Sequence, residues 1–165
     1  MSRVAPVPAR IRLLVLDVDG VLTDGRLYFG ARGEALKAFH VRDGYGLVQL
    51  QRAGCAVAVI SGRRSPMVRA RCRELGIRHV RQGATDKLAV LTRLLRRLRV
   101  PLSACACVGD DLPELPLIRA IPLSFAVADA HPDVRRAARR TTRLRGGRGA
   151  VREVCDYLLA RGARR

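Results

Sequence analysis

Four short apolar runs, most of them ending abruptly in polar or charged residues, constrain the fold of this chain more than any other feature. Ile11 to Leu16 (I-R-L-L-V-L) stops at Asp17. Ala56 to Ile60 (A-V-A-V-I) stops at Ser61-Gly62-Arg63. Ala104 to Val108 stops at Gly109-Asp110-Asp111, and Ser124 to Ala128 forms a further run. Nearly unbroken apolar stretches of this length fit strands buried on both faces of a parallel sheet. Ile77 to Arg81 reads as a shorter strand of the same kind. The segments between follow a helical period, clearest in Asp86 to Leu98, with apolar residues at 88, 91, 94, 95 and 98. Two further helices are expected, one from Ser65-Pro66 to about Leu75 and one over Gly149 to Ala160. Asp43 is expected to cap a helix from about Tyr45 to Ala53, closed by Gly54. Arg26 to Phe29 and Ala35 to Val41 are expected to pair as a hairpin around Gly30 and Gly33. Strands alternating with helices predict an α/β fold with a doubly wound, Rossmann-like, mostly parallel sheet, helices on both faces and a β-hairpin insertion after the first strand.

The length of 165 residues suits one domain. Residues 1–10, with Pro6 and Pro8, read as a leader, and residues 11–165 as the domain. The formal net charge is +18, and all but two of the 32 basic residues are arginine. Such a surface attracts anions. The arginines are scattered and not interleaved with aromatic side chains that could stack on bases, which argues against a dedicated nucleic-acid-binding protein. Cys55, Cys72, Cys105, Cys107 and Cys155 form no C-x-x-C pair, which argues against a zinc site or disulfide framework. Reduced thiols, the absence of a signal-peptide pattern before Asp17 and the absence of any membrane-span-length apolar stretch give the expectation of a cytoplasmic protein with no membrane partner.

Ligands of open α/β sheets bind beyond the carboxyl ends of the strands. This chain places Asp17 and Asp19, then Ser61, Gly62 and Arg63, then Asp110 and Asp111 at such ends, with Lys87 opening the helix after the third strand. Carboxylates crowded together raise one another's pKa values, and a divalent cation relieves the repulsion. An all-oxygen site suits Mg2+. A carboxylate can then attack phosphorus, a second carboxylate two residues on can move the proton, and lysine, serine and backbone N–H groups can hold the anionic oxygens. The chemistry read from these residues is phosphoryl transfer.

D-V-D-G-V-L-T-D-G (17–25), S-G-R (61–63), Lys87 and G-D-D (109–111) together resemble the motifs of the haloacid dehalogenase superfamily of phosphatases. K-A-F-H-V-R-D-G-Y-G (37–46), A-V-A-D-A-H-P (126–132) and G-G-R-G-A-V-R-E (146–153) are similar to the branch that dephosphorylates 3-deoxy-D-manno-octulosonate 8-phosphate during lipopolysaccharide precursor synthesis. The resemblance implies hydrolysis through an aspartyl phosphate. Asp17 is then nucleophile and metal ligand. Asp19 is general acid/base and offers its backbone carbonyl to the metal. Asp110 completes the protein's magnesium ligands, with Asp111 behind them. Ser61 and Gly62 bind the phosphate and Lys87 neutralises it. Arg63 and Arg71 bind the sugar acid, and their spacing of eight fits one side of a helix. Related phosphatases of nine-carbon sugar acids tend to carry Glu where Arg63 stands, so Arg63 favours the eight-carbon substrate. The chain departs from the pattern after G-D-D, where Pro113 and Glu114 replace the more usual apolar residue and Asp.

Forty-one residues separate Asp19 from Ser61 and 23 separate Arg63 from Lys87, too few for a cap domain. Phosphoryl transfer benefits from excluding water, so a neighbouring subunit is expected to cover the site through the hairpin at 26–41. The resemblance implies a homotetramer. Competing readings are a phosphatase of a nine-carbon sugar acid phosphate, an inactive nucleic-acid-binding protein of the same fold, and a receiver domain. Receivers place the acidic pair after the first strand and the phosphoacceptor after the third, an order this chain does not follow.

Overall fold

A computed structural model describes residues 10–163. The sheet contains β1 (Leu13–Leu16), β4 (Ala56–Ser61), β5 (His79–Gln82), β6 (Cys105–Gly109), β7 (Leu123–Ala126) and β8 (Arg140–Thr141). Their order is β5-β4-β1-β6-β7-β8, and every pairing is parallel. A separate antiparallel hairpin joins β2 (Tyr28–Gly30) to β3 (Gly33–Leu36). The helices are α1 (Val41–Arg52), α2 (Pro66–Glu74), α3 (Lys87–Leu98), α4 (Leu115–Ala120), α5 (Pro132–Ala137) and α6 (Ala150–Ala163), with 3₁₀ turns at Leu102–Ala104 and Leu112–Glu114. The leader expected over residues 1–10 lies outside the described residues except for Arg10, whose guanidinium donates to the Ala53 carbonyl at 2.8 Å.

The expected doubly wound sheet is what the apolar runs build. All four residues of β1 are buried, as are all of β6 and β7. The chain winds outward from β1 through β4 to β5, then crosses back to β6 and winds the other way. Right-handed crossovers place α1 and α2 on one face, and α3, α4 and α5 on the other. α6 returns to the first face and packs on α1. The reversal puts a crevice between the carboxyl ends of β1 and β6, where such sheets bind ligands.

Several boundaries differ from expectation, each for a local reason. The hairpin is shorter than 26–29 paired with 35–41. It closes through Ala31 and Arg32, with Gly33 at φ 105°, and a register shift falls between Tyr28 and Phe29. Residues 37–40 leave the ladder, and α1 begins at Val41 instead of Tyr45. Asp43 therefore lies inside α1 and does not cap it. It is 1% exposed, and its Oδ1 accepts from the Arg152 backbone N–H at 2.8 Å. A buried carboxylate needs donors, and the first turn of α6 has N–H groups without helical partners. Asp43 thus caps a helix more than 100 residues away. The edge strand β8 and helices α4 and α5 had no expectation; at two and six residues they are too short to show a period.

The loop after β1 is fixed from both sides. The amides of Val21, Leu22 and Thr23 all point at the Val18 carbonyl. The Thr23 hydroxyl accepts from Gly20 N–H at 3.3 Å and from Gly25 N–H at 3.2 Å. On the outside, Gly147 N–H donates to the Val21 carbonyl at 2.9 Å, and a Cβ at Gly146 would overlap the Gly20 carbonyl oxygen. Backbone against backbone leaves no flexible atom to give way. Gly146→Ala is expected to destabilise the protein by about 1–3 kcal/mol in urea unfolding and to lower turnover by displacing this loop. An unchanged unfolding midpoint with full turnover would show that the packing is looser than described.

Candidate active site

Three loops at the carboxyl rim of the sheet carry the predicted residues, and each is anchored independently. β1 delivers Asp17, which is buried with its N–H 3.4 Å from the Val108 carbonyl of β6. β6 delivers Asp110 beside it. Gly20, at φ 91°, has no Cβ because the Asp110 carboxylate occupies that space. β4 delivers Ser61, which is 3% exposed, followed by exposed Gly62 and Arg63.

This S-G-R loop is stitched to the segment leading to Lys87. Ala84 N–H donates to the Ser61 carbonyl at 3.0 Å and Gly83 N–H to the Arg63 carbonyl at 3.2 Å. The Gln82 side chain brackets Ser65 by accepting from its N–H at 2.6 Å and donating to its carbonyl at 3.2 Å. Lys87 then opens α3 behind the Asp86 cap, whose Oδ1 accepts from Ala89 N–H at 2.9 Å.

Lys87 reaches inward. Its Nζ lies 2.6 Å from Asp17 Oδ1 and also pairs with Glu114 Oε1, all three groups being buried. Asp17, Asp110 and Glu114 each place a carboxylate oxygen within 4.8 Å of the others. Asp19 faces the hairpin. Its Oδ1 pairs with Lys37 Nζ, and its Oδ2 lies 3.6 Å from Arg63 Nε. The Arg63 guanidinium also reaches Glu34 at 3.4 Å. Asp17, Lys87 and Asp110 thus converge, Asp19 and Arg63 lie together beside them, and Ser61 and Gly62 form the loop that ties the two groups.

Three predicted residues sit differently from expectation. Arg63 precedes α2, so its spacing from Arg71 is not helical. Arg71 instead spans from α2 to α1. Its guanidinium occupies the space beside Gly44, stacks 5.9 Å from the Phe39 ring and pairs with Glu74 at 2.9 Å. Asp111 is exposed and caps the turn at Leu112–Glu114, its Oδ1 accepting from Leu112 N–H at 2.8 Å, while its own N–H donates to Glu114 Oε2 at 3.1 Å. A cavity of about 950 Å³ runs between β8 and α6, and none of the predicted residues line it.

Comparison with known proteins matches this chain to one family. A family model described as haloacid dehalogenase-like hydrolase matches residues 76–152. The 3-deoxy-D-manno-octulosonate 8-phosphate phosphatase KdsC of Escherichia coli K12 is 52% identical over 149 residues, covering 90% of this chain and 79% of that protein. This chain belongs to the 3-deoxy-D-manno-octulosonate 8-phosphate phosphatase family. The crystal structure of the family's Yersinia pestis phosphatase superposes with a TM-score of 0.91 at 49% identity, over 93% of this chain and 83% of that one. The Moraxella catarrhalis phosphatase, in complex with a magnesium ion, a phosphate ion and a KDO molecule, gives 0.90 at 43% identity, over 93% and 88%.

The donor set fits a hard divalent cation of the kind this family binds. Asp110 Oδ1 is buried with no hydrogen-bond partner, and Asp17 and Asp110 supply anionic oxygen only. Burial, Glu114 and Asp17 push the Asp110 carboxyl up to about 8. Asp17 rises to about 6, because burial together with Glu114 and Asp19 outweighs Lys87. Burial also disfavours the Lys87 ammonium, yet Asp17 and Glu114 outweigh it and hold Lys87 above its ordinary range.

The functional residue that sequence reasoning passed over is Glu114. In the sequence it stands only as a departure from the pattern after G-D-D, yet it is 3% exposed and its Oε1 pairs with the Lys87 ammonium that also pairs with Asp17. Its signal was an acid placed three residues after Asp111, where a capping box and an inward-facing carboxylate coincide. Lys37, which is quoted within a motif, is the second.

Both raised carboxyls bind protons in the folded chain that the unfolded chain has already released. Without metal, their contribution to stability falls as pH rises from about 4 to about 8. A cation must displace those protons, so it binds better at the upper end. Magnesium is therefore expected to raise the melting temperature more at pH 8 than at pH 5.5, and Asp110→Asn to remove most of that increment. An increment that is the same at both pH values would place the ion elsewhere.

Proposed function

We propose that this protein is a magnesium-dependent phosphomonoesterase that hydrolyses 3-deoxy-D-manno-octulosonate 8-phosphate to the free sugar acid and phosphate, in lipopolysaccharide precursor synthesis. The observation that carries this reading is the buried Lys87 ammonium between Asp17 and Glu114 with Asp110 beside them, in a chain 52% identical to a phosphatase of that substrate. Asp17, Asp110 and the backbone carbonyl of Asp19 hold the ion. Bound there, magnesium neutralises the crowded carboxylates and the phosphoryl oxygens.

Lys87 holds Asp17 Oδ1, so the other carboxylate oxygen attacks phosphorus as the ester P–O bond breaks. Asp19 gives its proton to the departing sugar oxygen. Asp19 then takes a proton from water, the resulting hydroxide attacks the phosphorus of the aspartyl phosphate, and phosphate leaves with Asp17 restored. Lys87, Ser61 and the backbone at Gly62 stabilise the phosphoryl oxygens. Arg63, half-exposed at the rim and paired there with Asp19 and Glu34, binds the sugar acid carboxylate. Arg71 contributes from the Phe39 side, and Asp111 supports the metal loop through the Glu114 turn.

The chain is read as cytoplasmic. All five cysteines are buried free thiols, and among the described residues no helix is long and apolar enough to cross a membrane. A homotetramer is supported by exposed apolar side chains on the hairpin and the adjoining start of α1: Leu27, Tyr28, Phe29, Leu36, Val41 and Tyr45, with Phe29 66% and Val41 76% exposed. A cluster of this kind marks an interaction surface, and its occupant is a second copy of the chain, which also covers the site.

A screen of phosphorylated sugars and sugar acids with magnesium is expected to give the highest kcat/KM for the octulosonate 8-phosphate, with Asp17→Asn folded and inactive. Preference for a nine-carbon acid, or activity in Asp17→Asn, would overturn the substrate or the nucleophile respectively. Phe29→Asp is expected to lower the sedimenting mass below a tetramer and to reduce activity at low protein concentration. A wild-type chain that sediments as a fully active monomer would remove the subunit cover.

A further inference from the structure

Lys37 is the other of the chain's two lysines, and its side chain is almost wholly withdrawn from water, at 1% exposure. It lies one residue beyond β3, where the chain leaves the hairpin ladder. Its Nζ pairs with Asp19 Oδ1 and, at 2.8 Å, with Glu34 Oε1. An ammonium shielded to that degree is held only where acceptors surround it. Burial alone disfavours its charge, but the hydrogen bonds to Asp19 and Glu34 outweigh burial and hold Lys37 above its ordinary range.

The two cations beside Asp19 are not equivalent. Both contact Asp19 and Glu34, but Arg63 reaches Glu34 only at 3.4 Å, whereas Lys37 is held close by both carboxylates. Arg63 approaches the other oxygen, Oδ2, at 3.6 Å, beyond hydrogen-bond length, from a side chain that is 44% exposed. Arg63 is also the residue assigned to the carboxylate of the substrate. One oxygen of Asp19 is therefore anchored by a buried group, and the other is held by a group the substrate can draw away.

We propose that Lys37 is a positioning residue for Asp19: it fixes Oδ1 and so directs Oδ2 at the leaving oxygen of the substrate once Arg63 has turned to the sugar acid. The proposal rests on the phosphatase reading of the site. No bond is made or broken at Lys37. The proton moves from Asp19 to the ester oxygen as the P–O bond breaks, and returns to Asp19 from the hydrolytic water.

Leaving-group dependence separates positioning from a merely structural role. A sugar alkoxide needs a proton to depart, whereas the phenolate of p-nitrophenyl phosphate does not. First-turnover rates with magnesium are compared for both esters in the wild type, Lys37→Met and Lys37→Gln. Lys37→Met is expected to slow the sugar acid phosphate about 100-fold, the effect of misplacing a reacting group by about 1 Å. Its KM for that ester, and its release of p-nitrophenol, are expected to change by less than about threefold. Lys37→Gln, neutral but still a donor to Asp19, falls between Lys37→Met and the wild type on the sugar ester. It provides the comparison if Lys37→Met does not fold. Equal losses on the two esters, or an unchanged rate on the sugar ester, overturn the proposal while the phosphatase reading stands. A wild type inert to both esters overturns the phosphatase reading and this proposal with it.

Discussion

Placing Asp17, Asp110 and Glu114 within 4.8 Å of one another at the rim of a buried sheet is unfavourable unless positive charge accompanies them. Lys87 supplies one charge, and the geometry of the site follows from how it is delivered. The lysine must enter from the start of α3, so β5 must end level with β4. The loop between them must be pinned, and Gln82, Gly83 and Ala84 do this through backbone and side-chain bonds to residues 61–65. Glu114 must turn inward, which the capping box with Asp111 achieves. On the proposed reading the second charge is a divalent cation, and Asp110 keeps a buried oxygen without a protein partner.

The distribution of charge over the molecule adds to this. Six of the chain's fourteen acidic residues (Asp17, Asp19, Glu34, Asp110, Asp111 and Glu114) gather at this one rim, in a protein whose net charge is +18. The surroundings are therefore strongly cationic while the centre is anionic. A phosphorylated sugar acid is attracted by the long-range field. On the proposed reading of the site, it meets local carboxylates only where a cation, Lys87 and Arg63 receive it.

The parts of this arrangement that depend on chain order were legible in the sequence, and the parts that depend on distance across the fold were not. Uninterrupted apolar runs located β1, β4 and β6, and the residues that end them located Asp17, Ser61 and Asp110. Asp43 looked like the cap of its own helix because its partner, the first turn of α6, lies more than 100 residues away. Arg63 and Arg71 share a helical spacing, although the helix is itself expected to start at Ser65-Pro66; α2 does begin at Pro66, so only Arg71 lies on it. Lys37 carries no local pattern that separates an inward charge from a solvated one, and the capping-box spacing that flags Glu114 names no partner for it. Their roles appear only when Asp17 and Asp19 stand opposite them.

The bracing of the loop after β1 by Gly146 and Gly147 has a consequence for how the protein is made. β1 lies at the centre of the sheet, yet the turn that follows it is held by residues translated more than 120 positions later. A nascent chain can assemble β1, β4 and β6 and still lack the clamp on that turn. The ability to cleave an ester therefore arises late in synthesis, when the stretch ahead of α6 has emerged and closed onto the opening strand.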